Sequence, residues 1–258
     1  MAYQLEVGTA IGCPMRCAYC PQTPLLAAYK GPRVMSLETF ITCIRNTPAD
    51  MPVSFASFAE PYINPQTSDM VGWLYANGRA IQMYTTGYKM TLRDVDILRR
   101  CEAHRVTLHI PSTDGKMNLT ITPEYVETCK HLLATGPLDV ACFGPVPEPL
   151  KFLTHHVKHS TLQTRAGNVA ILRSPERKTG PIICNQQPLL DGGTLLPNGD
   201  YELCCQDYGL RHILGNLLTQ SLAEILAGPV ATALREAMAA DGDCICRTCE
   251  YSSCVPNS

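Results

Sequence analysis

Short apolar runs alternate with amphipathic segments along the first half of the chain. Segments with apolar residues at helical spacing predict α-helices, and Ser36 is a candidate N-cap just before one of them. The predicted strands are 3–8, 53–58, 80–84, 106–110, 138–143 and 168–172. The predicted helices are 35–45, 66–76, 93–103 and 123–134, the last opened by a proline in its first turn.

The order of these segments indicates a parallel sheet. Strands that alternate with helices form βαβ units, which place consecutive strands side by side in the same direction. A closed barrel of this type has eight strands in about 250 residues, and six units are too few to close it. The predicted fold class is therefore α/β, a partial (βα)6 TIM-type barrel.

The pattern changes after about residue 180. Two short strands flank Asn198-Gly199 within 194–203, which is typical of a β-hairpin. A helix over 220–240 is expected to break near Gly228-Pro229, and a short cysteine-bearing tail follows it. We predict a barrel domain over 1–178 and a small hairpin-plus-helix iron–sulfur (twitch-like) extension over 179–258. This extension is too small to bury a large core, so we expect a bound metal centre to stabilise it.

Composition excludes several classes of protein. The 258 residues carry 21 Lys and Arg against 23 Asp and Glu, a formal net charge of -2, which disfavours a protein that binds nucleic-acid phosphates. No apolar run approaches the roughly 20 residues of a membrane span. The first residues lack the pattern of a signal peptide, so we expect a cytoplasmic protein.

Cysteine is the residue type that composition singles out, with 14 in the chain. In a reducing compartment, so many cysteines are more often metal ligands or redox groups than disulfides. Cys43, Cys101 and Cys129 lie singly in predicted helices, where a free cysteine usually packs as a small apolar side chain. Apart from Cys142, the others form two groups near the ends of the chain: Cys13, Cys17 and Cys20, then Cys184, Cys204, Cys205, Cys244, Cys246, Cys249 and Cys254.

The first group follows the first predicted strand with the spacing C-x3-C-x2-C. Three thiolates on one loop can bind three irons of a 4Fe–4S cluster and leave the fourth iron open to another ligand. This spacing, with Tyr19 before the last cysteine, resembles that of the radical SAM enzymes. The resemblance implies that Cys13, Cys17 and Cys20 hold a SAM-binding 4Fe–4S cluster, and that reductive cleavage of S-adenosylmethionine yields a 5′-deoxyadenosyl radical. Taken alone, the same cysteines are also compatible with zinc or with buried thiols.

Further residues match the family's order at the ends of predicted strands, where barrel folds assemble their sites. Glu60 resembles the glutamate of the family's Gly-Gly-Glu segment, although phenylalanine and alanine replace the two glycines here. Two threonines end the third strand and Ser112 follows the fourth, and each is equally compatible with a simple loop cap. The SAM-binding residues that the resemblance implies are Tyr19, Glu60, Thr85, Thr86 and Ser112.

The second group resembles the SPASM/twitch extension of radical SAM enzymes. Cys184 precedes a Gly-x4-Cys segment that ends at Cys204, and the tail contains a C-x2-C pair. The resemblance implies an auxiliary 4Fe–4S cluster held by Cys184, Cys204, Cys246 and Cys249. The tail has fewer cysteines than a full SPASM domain, which favours the shortened twitch form. Zinc is the alternative metal, and Cys205, Cys244 and Cys254 are alternative ligands.

Two clusters of these kinds imply a radical oxidoreductase. The radical would remove hydrogen from a substrate C–H bond, and the auxiliary cluster would accept an electron from the substrate. The resemblance extends to enzymes of the 2-deoxy-scyllo-inosamine dehydrogenase type, so we expect a sugar or aminocyclitol alcohol as substrate and a flavodoxin- or ferredoxin-type electron donor. The alternatives are cross-linking or epimerisation of a ribosomal peptide and, more distantly, a non-catalytic iron–sulfur or zinc-binding protein.

The catalytic residues remain open at this stage. An epimerase needs a hydrogen donor, and Cys142 at the end of the fifth predicted strand is the candidate, although a core thiol is the more common role. A dehydrogenase needs a base for the alcohol proton, and His109 is one of several histidines that titrate in a suitable range. The first predicted strand begins at residue 3, which we take to disfavour a peptide-recognition segment before it.

Overall fold

The computed structural model describes residues 4–159, 161–186 and 192–255. The strands are β1 Leu5–Val7, β2 Val53–Phe55, β3 Ile81–Thr85, β4 Arg105–His109, β5 Leu138–Cys142, β6 Val157–His159, β7 Ile182–Cys184, β8 Thr194–Leu195, β9 Asp200–Glu202, β10 Ile213–Asn216 and β11 Ser252–Cys254. The α-helices are α1 Gln22–Ala28, α2 Leu37–Arg45, α3 Thr67–Ala76, α4 Leu92–Arg100, α5 Pro123–Ala134, α6 Leu222–Ala227 and α7 Pro229–Ala239.

Nine of these strands form one sheet in the order β10-β9-β8-β1-β2-β3-β4-β5-β6. Strands β1 to β6 are parallel and follow chain order, with α2 to α5 between them. This arrangement confirms the predicted α/β class and its mostly parallel sheet.

The chain forms its helices at positions where local hydrogen bonds favour them. The Ser36 hydroxyl accepts a hydrogen bond from the Thr39 amide at 3.0 Å and so caps α2. Thr91 and Asp94 form a reciprocal capping box at the start of α4. Leu5, Val7 and their counterparts on the next strands pack under these helices in one continuous core. No helix in the described ranges is long and apolar enough to cross a membrane.

Two predictions about elements differ from the structure. The sixth strand is Val157–His159, not 168–172, which forms turns. Residues 157–159 are half-buried to exposed, so their sequence lacks the apolar run that marks a buried strand. The short helix α1, which follows the first cysteines, carries no clear amphipathic pattern and was not predicted. Residue 3 of the first predicted strand lies outside the described residues.

The predicted hairpin forms, and it joins the main sheet. β8 and β9 are antiparallel across Asn198-Gly199, and Gly199 has a φ of 85°, a conformation that favours glycine. β8 also pairs in parallel with β1, so the sheet continues across the predicted boundary at 178. The predicted break at Gly228-Pro229 separates α6 from α7. β7 and β11 form a separate two-stranded sheet that brings the tail beside Cys184.

Candidate active site

One cavity of about 390 Å³ opens where the parallel strands end and the C-terminal segments cover the sheet. Its volume lies in the range of small-molecule sites. All seven cysteines predicted as cluster ligands line it, together with most of the predicted SAM-binding residues. The predicted residues at its wall are Cys13, Cys17, Cys20, Tyr19, Glu60, Thr85, Thr86, His109, Cys184, Cys204, Cys246 and Cys249.

The loop between β1 and α1 presents the first three cysteines to the cavity. Burial, followed by the charges of neighbouring cysteines, raises the pKa of Cys13 and of Cys17. These thiols are close enough that ionising one disfavours ionising another, as expected for a group that shares one bound centre. Metal binding would have to supply the driving force for deprotonation.

Gln22, the second residue after Cys20, holds both ends of this loop. Its Oε1 accepts a hydrogen bond from the Cys13 amide at 3.3 Å, and its Nε2 lies 3.1 Å from the Cys20 Sγ. The same Nε2 donates to the Phe58 carbonyl oxygen at 2.7 Å. The side chain is buried, at 9% exposure, so these contacts are shielded from water. Gln22 was not predicted as a functional residue, although its position directly after the motif was the available signal.

We expect Gln22→Leu to weaken retention of the first metal centre. Leucine is similar in size but removes the donor to the Cys20 sulfur and the acceptor for the Cys13 amide. Loss of such outer contacts typically costs 10–100-fold in metal affinity, so we expect iron loss to a chelator to accelerate by about tenfold or more.

Gln66→Leu is the matched control. Gln66 accepts a hydrogen bond from the Leu37 amide at 3.1 Å, away from any cysteine. Equal rates of iron loss from Gln22→Leu and Gln66→Leu would show that Gln22 does not hold the cysteine loop.

Glu60, Thr85 and Thr86 form one hydrogen-bonded network that joins the ends of β2 and β3. The Thr85 hydroxyl donates to Glu60 Oε1 at 2.6 Å, and the amide and hydroxyl of Thr86 donate to Oε2 at 2.6 and 2.7 Å. The Tyr62 amide donates to Oε1 at 3.3 Å. Burial raises the pKa of Glu60, whereas these donors act in the opposite direction. The threonines therefore act on the cavity through Glu60, whose four acceptor positions are all used within the protein.

Of the other predicted cofactor and catalytic residues, Tyr19 and His109 line the cavity. The ring of Tyr19 packs against Phe143 at a centroid distance of 4.8 Å. Burial lowers the pKa of His109 to about 4, so its imidazole is neutral at pH 7. Ser112 and Cys142 are not among the residues that line the cavity. The Ser112 hydroxyl donates to Asp114 at 2.5 Å, and the Cys142 thiol lies 3.1 Å from the Gly144 carbonyl oxygen.

The four predicted ligands of the auxiliary cluster also line the cavity. Burial, and then neighbouring charges that include Cys249, raises the pKa of Cys204. Burial, and then neighbouring charges that include Cys184, raises the pKa of Cys249. The pKa of Cys246 is raised by a hydrogen bond to Cys244, by burial and by the charge of Cys204. Cys184 and the tail pair come together because β7 and β11 are paired. The four predicted ligands therefore form one neighbourhood built from three distant segments.

The three alternative ligands occupy different places. Cys205 lines the cavity beside its neighbour Cys204, and burial raises its pKa. Cys244 is buried but outside the cavity wall, where the Cys246 thiol and then the nearby backbone lower its pKa to about 6. Cys254 is exposed, with its thiol 3.8 Å from the Thr179 carbonyl oxygen.

Tyr208 connects the two cysteine groups. It lies four residues after Cys204, and its hydroxyl is 3.6 Å from the Cys20 Sγ. Its ring meets Phe58 edge-on at a centroid distance of 4.9 Å. Since the Phe58 carbonyl oxygen also accepts from Gln22, the loop of the first group and the loop of the second pack against one shared support.

Arg247, between the two tail cysteines, holds the C-terminal segment together. Its guanidinium is buried, at 1% exposure, and donates to the carbonyl oxygens of five residues. Two of these carbonyls belong to the last turn of α7 and its cap, whose acceptors lack partners within the helix. The acceptors are Lys178, Gly180, Ala237, Ala240 and Gly242, at 2.5–3.3 Å.

The donor atoms at the cavity determine which metal groups it can hold. Both groups present only sulfur, which suits iron–sulfur clusters or zinc. In the parts of the chain that the structure describes, no three His, Cys, Asp or Glu side chains are close enough to share a single metal ion. Three thiols of the first group and five of the second line one cavity, which is enough for one cluster with an open iron and one cluster fully ligated by four cysteines.

Comparison with known proteins identifies part of the chain. Residues 191–250 match the SPASM family, an iron–sulfur cluster-binding domain. This segment contains Cys204, Cys205, Cys246 and Cys249 and the turn of the hairpin. The search among curated proteins found no match.

Solved structures share the fold over most of the chain. BtrN in complex with AdoMet and 2-DOIA is similar at a TM-score of 0.64 and 14% identity, over 92% of this chain and 87% of BtrN. Streptococcus suis SuiB bound to the precursor peptide SuiA is similar at 0.65 and 12%, over 91% and 67%. The structure anSMEcpe with bound AdoMet and Cp18Cys peptide is similar at 0.61 and 9%, over 96% and 86%. The chain thus contains a segment that is similar to the SPASM iron–sulfur domain, within a fold that it shares with these three proteins.

Proposed function

We propose that this protein is a radical SAM oxidoreductase with two 4Fe–4S clusters. The first cluster, on Cys13, Cys17 and Cys20, would bind SAM and supply the electron that cleaves it to a 5′-deoxyadenosyl radical, which removes hydrogen from a substrate C–H bond. The second cluster would accept an electron from the substrate. The observation that carries the proposal is that the three cysteines of the first group and the four predicted auxiliary ligands line the same cavity.

The protein's own residues have distinct roles in this proposal. Gln22 orients the first cysteine loop. Glu60, whose acceptor positions are used by Tyr62, Thr85 and Thr86, would attract the SAM amino group through its charge and not through a hydrogen bond. The neutral imidazole of His109 can accept a proton from the substrate. The cavity wall is mostly apolar, which limits the access of water to a reactive radical.

We assign the auxiliary cluster to Cys184, Cys204, Cys246 and Cys249. Their shared cavity and their mutual effects on pKa support this set, and the SPASM match covers three of the four, all but Cys184. The tail cysteines Cys244 and Cys254 lie outside the cavity wall. Cys205 is the remaining alternative because it lines the cavity next to Cys204.

We expect Cys249→Ala to distinguish the roles of the two clusters. The variant should still cleave SAM in the presence of dithionite but should form no oxidised product, because the substrate electron has no acceptor. Cys254→Ala is the matched control and should leave both reactions intact. Product formation by Cys249→Ala at the wild-type rate would remove Cys249 from the ligand set.

The substrate that we propose is a sugar or aminocyclitol alcohol, and the similarity to the BtrN structure with bound 2-DOIA supports this choice. The second candidate is a ribosomal peptide, which the similarity to SuiB bound to SuiA favours. The test is deuterium transfer. A carbinol-deuterated 2-deoxy-scyllo-inosamine should pass deuterium into 5′-deoxyadenosine and lose two hydrogens, whereas transfer only from Cα-deuterated peptides would support the peptide alternative.

The reaction also requires an external one-electron donor. A flavodoxin or ferredoxin fits this role, and Cys17→Ala should make the protein unable to use either donor for SAM cleavage. A protein that contains about eight irons, as two such clusters require, yet forms no 5′-deoxyadenosine with any reductant would contradict the enzyme proposal.

A further inference from the structure

A row of polar side chains crosses the inner face of the sheet in register. The strand pairings place one residue from each of six neighbouring strands side by side. The row is Glu202, Thr194, Glu6, Ser54, Gln82 and Arg105. Leu5 and Val7, the neighbours of Glu6 along β1, instead face the helices and are fully buried in the core.

This polarity is unusual for the interior of a barrel-like sheet. The inward positions of parallel barrels are generally filled by layers of branched apolar residues. Here they carry carboxylate, hydroxyl and amide groups over the central strands. The inner face is therefore suited to contact with a polar molecule more than to packing of apolar side chains.

Several atoms of the row are buried without a hydrogen-bond partner in the protein. They are Ser54 Oγ, Gln82 Oε1, Thr194 Oγ1 and both carboxylate oxygens of Glu202, and the residues Ser54, Thr194 and Glu202 are fully buried. An unpaired buried polar atom costs about 1–3 kcal/mol. Because several neighbouring positions on one face carry this cost, we infer that a bound ligand supplies the missing hydrogen bonds.

Glu6 brings this row to the cavity. Glu6 and Thr194 both line the cavity, as do Gln4 and Tyr84 on the same face of β1 and β3. Glu6 Oε2 accepts a hydrogen bond from the Ser57 hydroxyl at 3.1 Å, and the Cys205 thiol lies beside the carboxylate. Neither of these contacts is positively charged, so the carboxylate retains acceptor capacity for the donors of a ligand.

Glu6 contacts two segments that border the cavity. Cys205 belongs to the loop of the second cysteine group, and Ser57 lies on the segment between β2 and Glu60. A ligand that contacts Glu6 would therefore lie in the cavity that the predicted cluster ligands also line.

We propose that Glu6 and Thr194 form a binding subsite for a small polyol. Each hydroxyl of such a ligand can donate to the Glu6 carboxylate and accept from the Thr194 hydroxyl, which matches the mixed donors and acceptors of the row. The subsite rests on the proposed function for its role as a substrate site. Binding itself requires no turnover, so the two proposals can fail separately.

The test is equilibrium binding of ring polyols to the reconstituted protein under anaerobic conditions. The probes are myo-inositol and 2-deoxy-scyllo-inosamine, measured by calorimetry or ligand-observed NMR without reductant. We expect Glu6→Gln to weaken binding at least tenfold, because the amide replaces an acceptor by a donor. Thr194→Val should weaken it by a smaller factor.

Glu127→Gln is the control, since Glu127 is exposed on α5 and makes only a 3.7 Å contact with Lys130. It should bind the polyols as the wild type does. Equal affinity of the Glu6→Gln and Glu127→Gln variants would overturn the subsite, as would preferential binding of a peptide by the wild type. Should one of the variants Glu6→Gln and Thr194→Val fail to fold, the other provides the test, since both side chains line the cavity. Polyol binding that depends on Glu6 in a protein that cleaves no SAM would support the subsite and contradict the proposed function.

Discussion

Cys17→Ala is expected to reduce 5′-deoxyadenosine formation to background. Three thiolates are the minimum protein ligation of the proposed SAM-binding cluster, and the spacing leaves no fourth cysteine on the loop to replace Cys17. Iron content should fall from about eight to about four per chain, because the second cysteine group is unaffected. The measurement combines iron and sulfide analysis with detection of 5′-deoxyadenosine after addition of SAM and dithionite.

Cys43→Ala is the matched control for this loss. Cys43 is fully buried in α2, and burial raises its pKa to about 12, as expected for a thiol among apolar side chains. Its replacement should cost some stability through the lost sulfur and should leave iron content and SAM cleavage unchanged. SAM cleavage by Cys17→Ala at a rate near that of Cys43→Ala would exclude the first group as the cleaving centre.

Arg247→Ala should strongly destabilise the C-terminal segment. The substitution removes the buried guanidinium that donates to five backbone carbonyl oxygens, of which that of Ala237 also accepts from the Gly242 amide. Each buried acceptor left unsatisfied costs about 1–3 kcal/mol, so even partial access of water leaves a loss of about 3 kcal/mol or more. Chemical denaturation measures the loss, and iron content reports its effect on the centre that includes the adjacent Cys246.

Arg177→Ala is the control that distinguishes the loss of the buried contacts of Arg247 from the loss of a surface charge. Arg177 pairs with Asp241 at 3.0 Å, and its side chain is 43% exposed. An exposed pair of this kind contributes about 0–1 kcal/mol. If the two arginine variants unfold at the same denaturant concentration, the buried contacts of Arg247 do not stabilise the segment.

The sequence predicted the parts of the fold that depend on local pattern. Strands β2 to β5 and helix α5 follow apolar periodicity, and Asn198-Gly199 forms the expected turn. The sixth strand was misplaced because β6 is short and half-buried to exposed. The pairing of β8 with β1 was not predicted, because local periodicity does not show which distant strands pair with each other.

The same distinction holds for the candidate site. Closely spaced motifs identified the cysteines and Glu60, which the structure brings to one cavity. Gln22, Tyr208 and Arg247 were missed because their importance arises from partners far away in the chain or from backbone atoms, and neither is visible in a motif. Ser112 and Cys142 occupy strand ends as expected, but their side chains contact neighbouring loops and not the cavity.

The pairing of β8 with β1 has a consequence for how the chain can be divided. β1 lies between β2 and β8, so both of its edges are hydrogen-bonded. A fragment that ended at residue 178 would leave one edge of β1 with free amide and carbonyl groups, and open strand edges promote aggregation. The first cysteine loop follows directly from that strand. The two halves of this protein are therefore structurally interdependent, and each cysteine group is best studied by substitution within the whole chain.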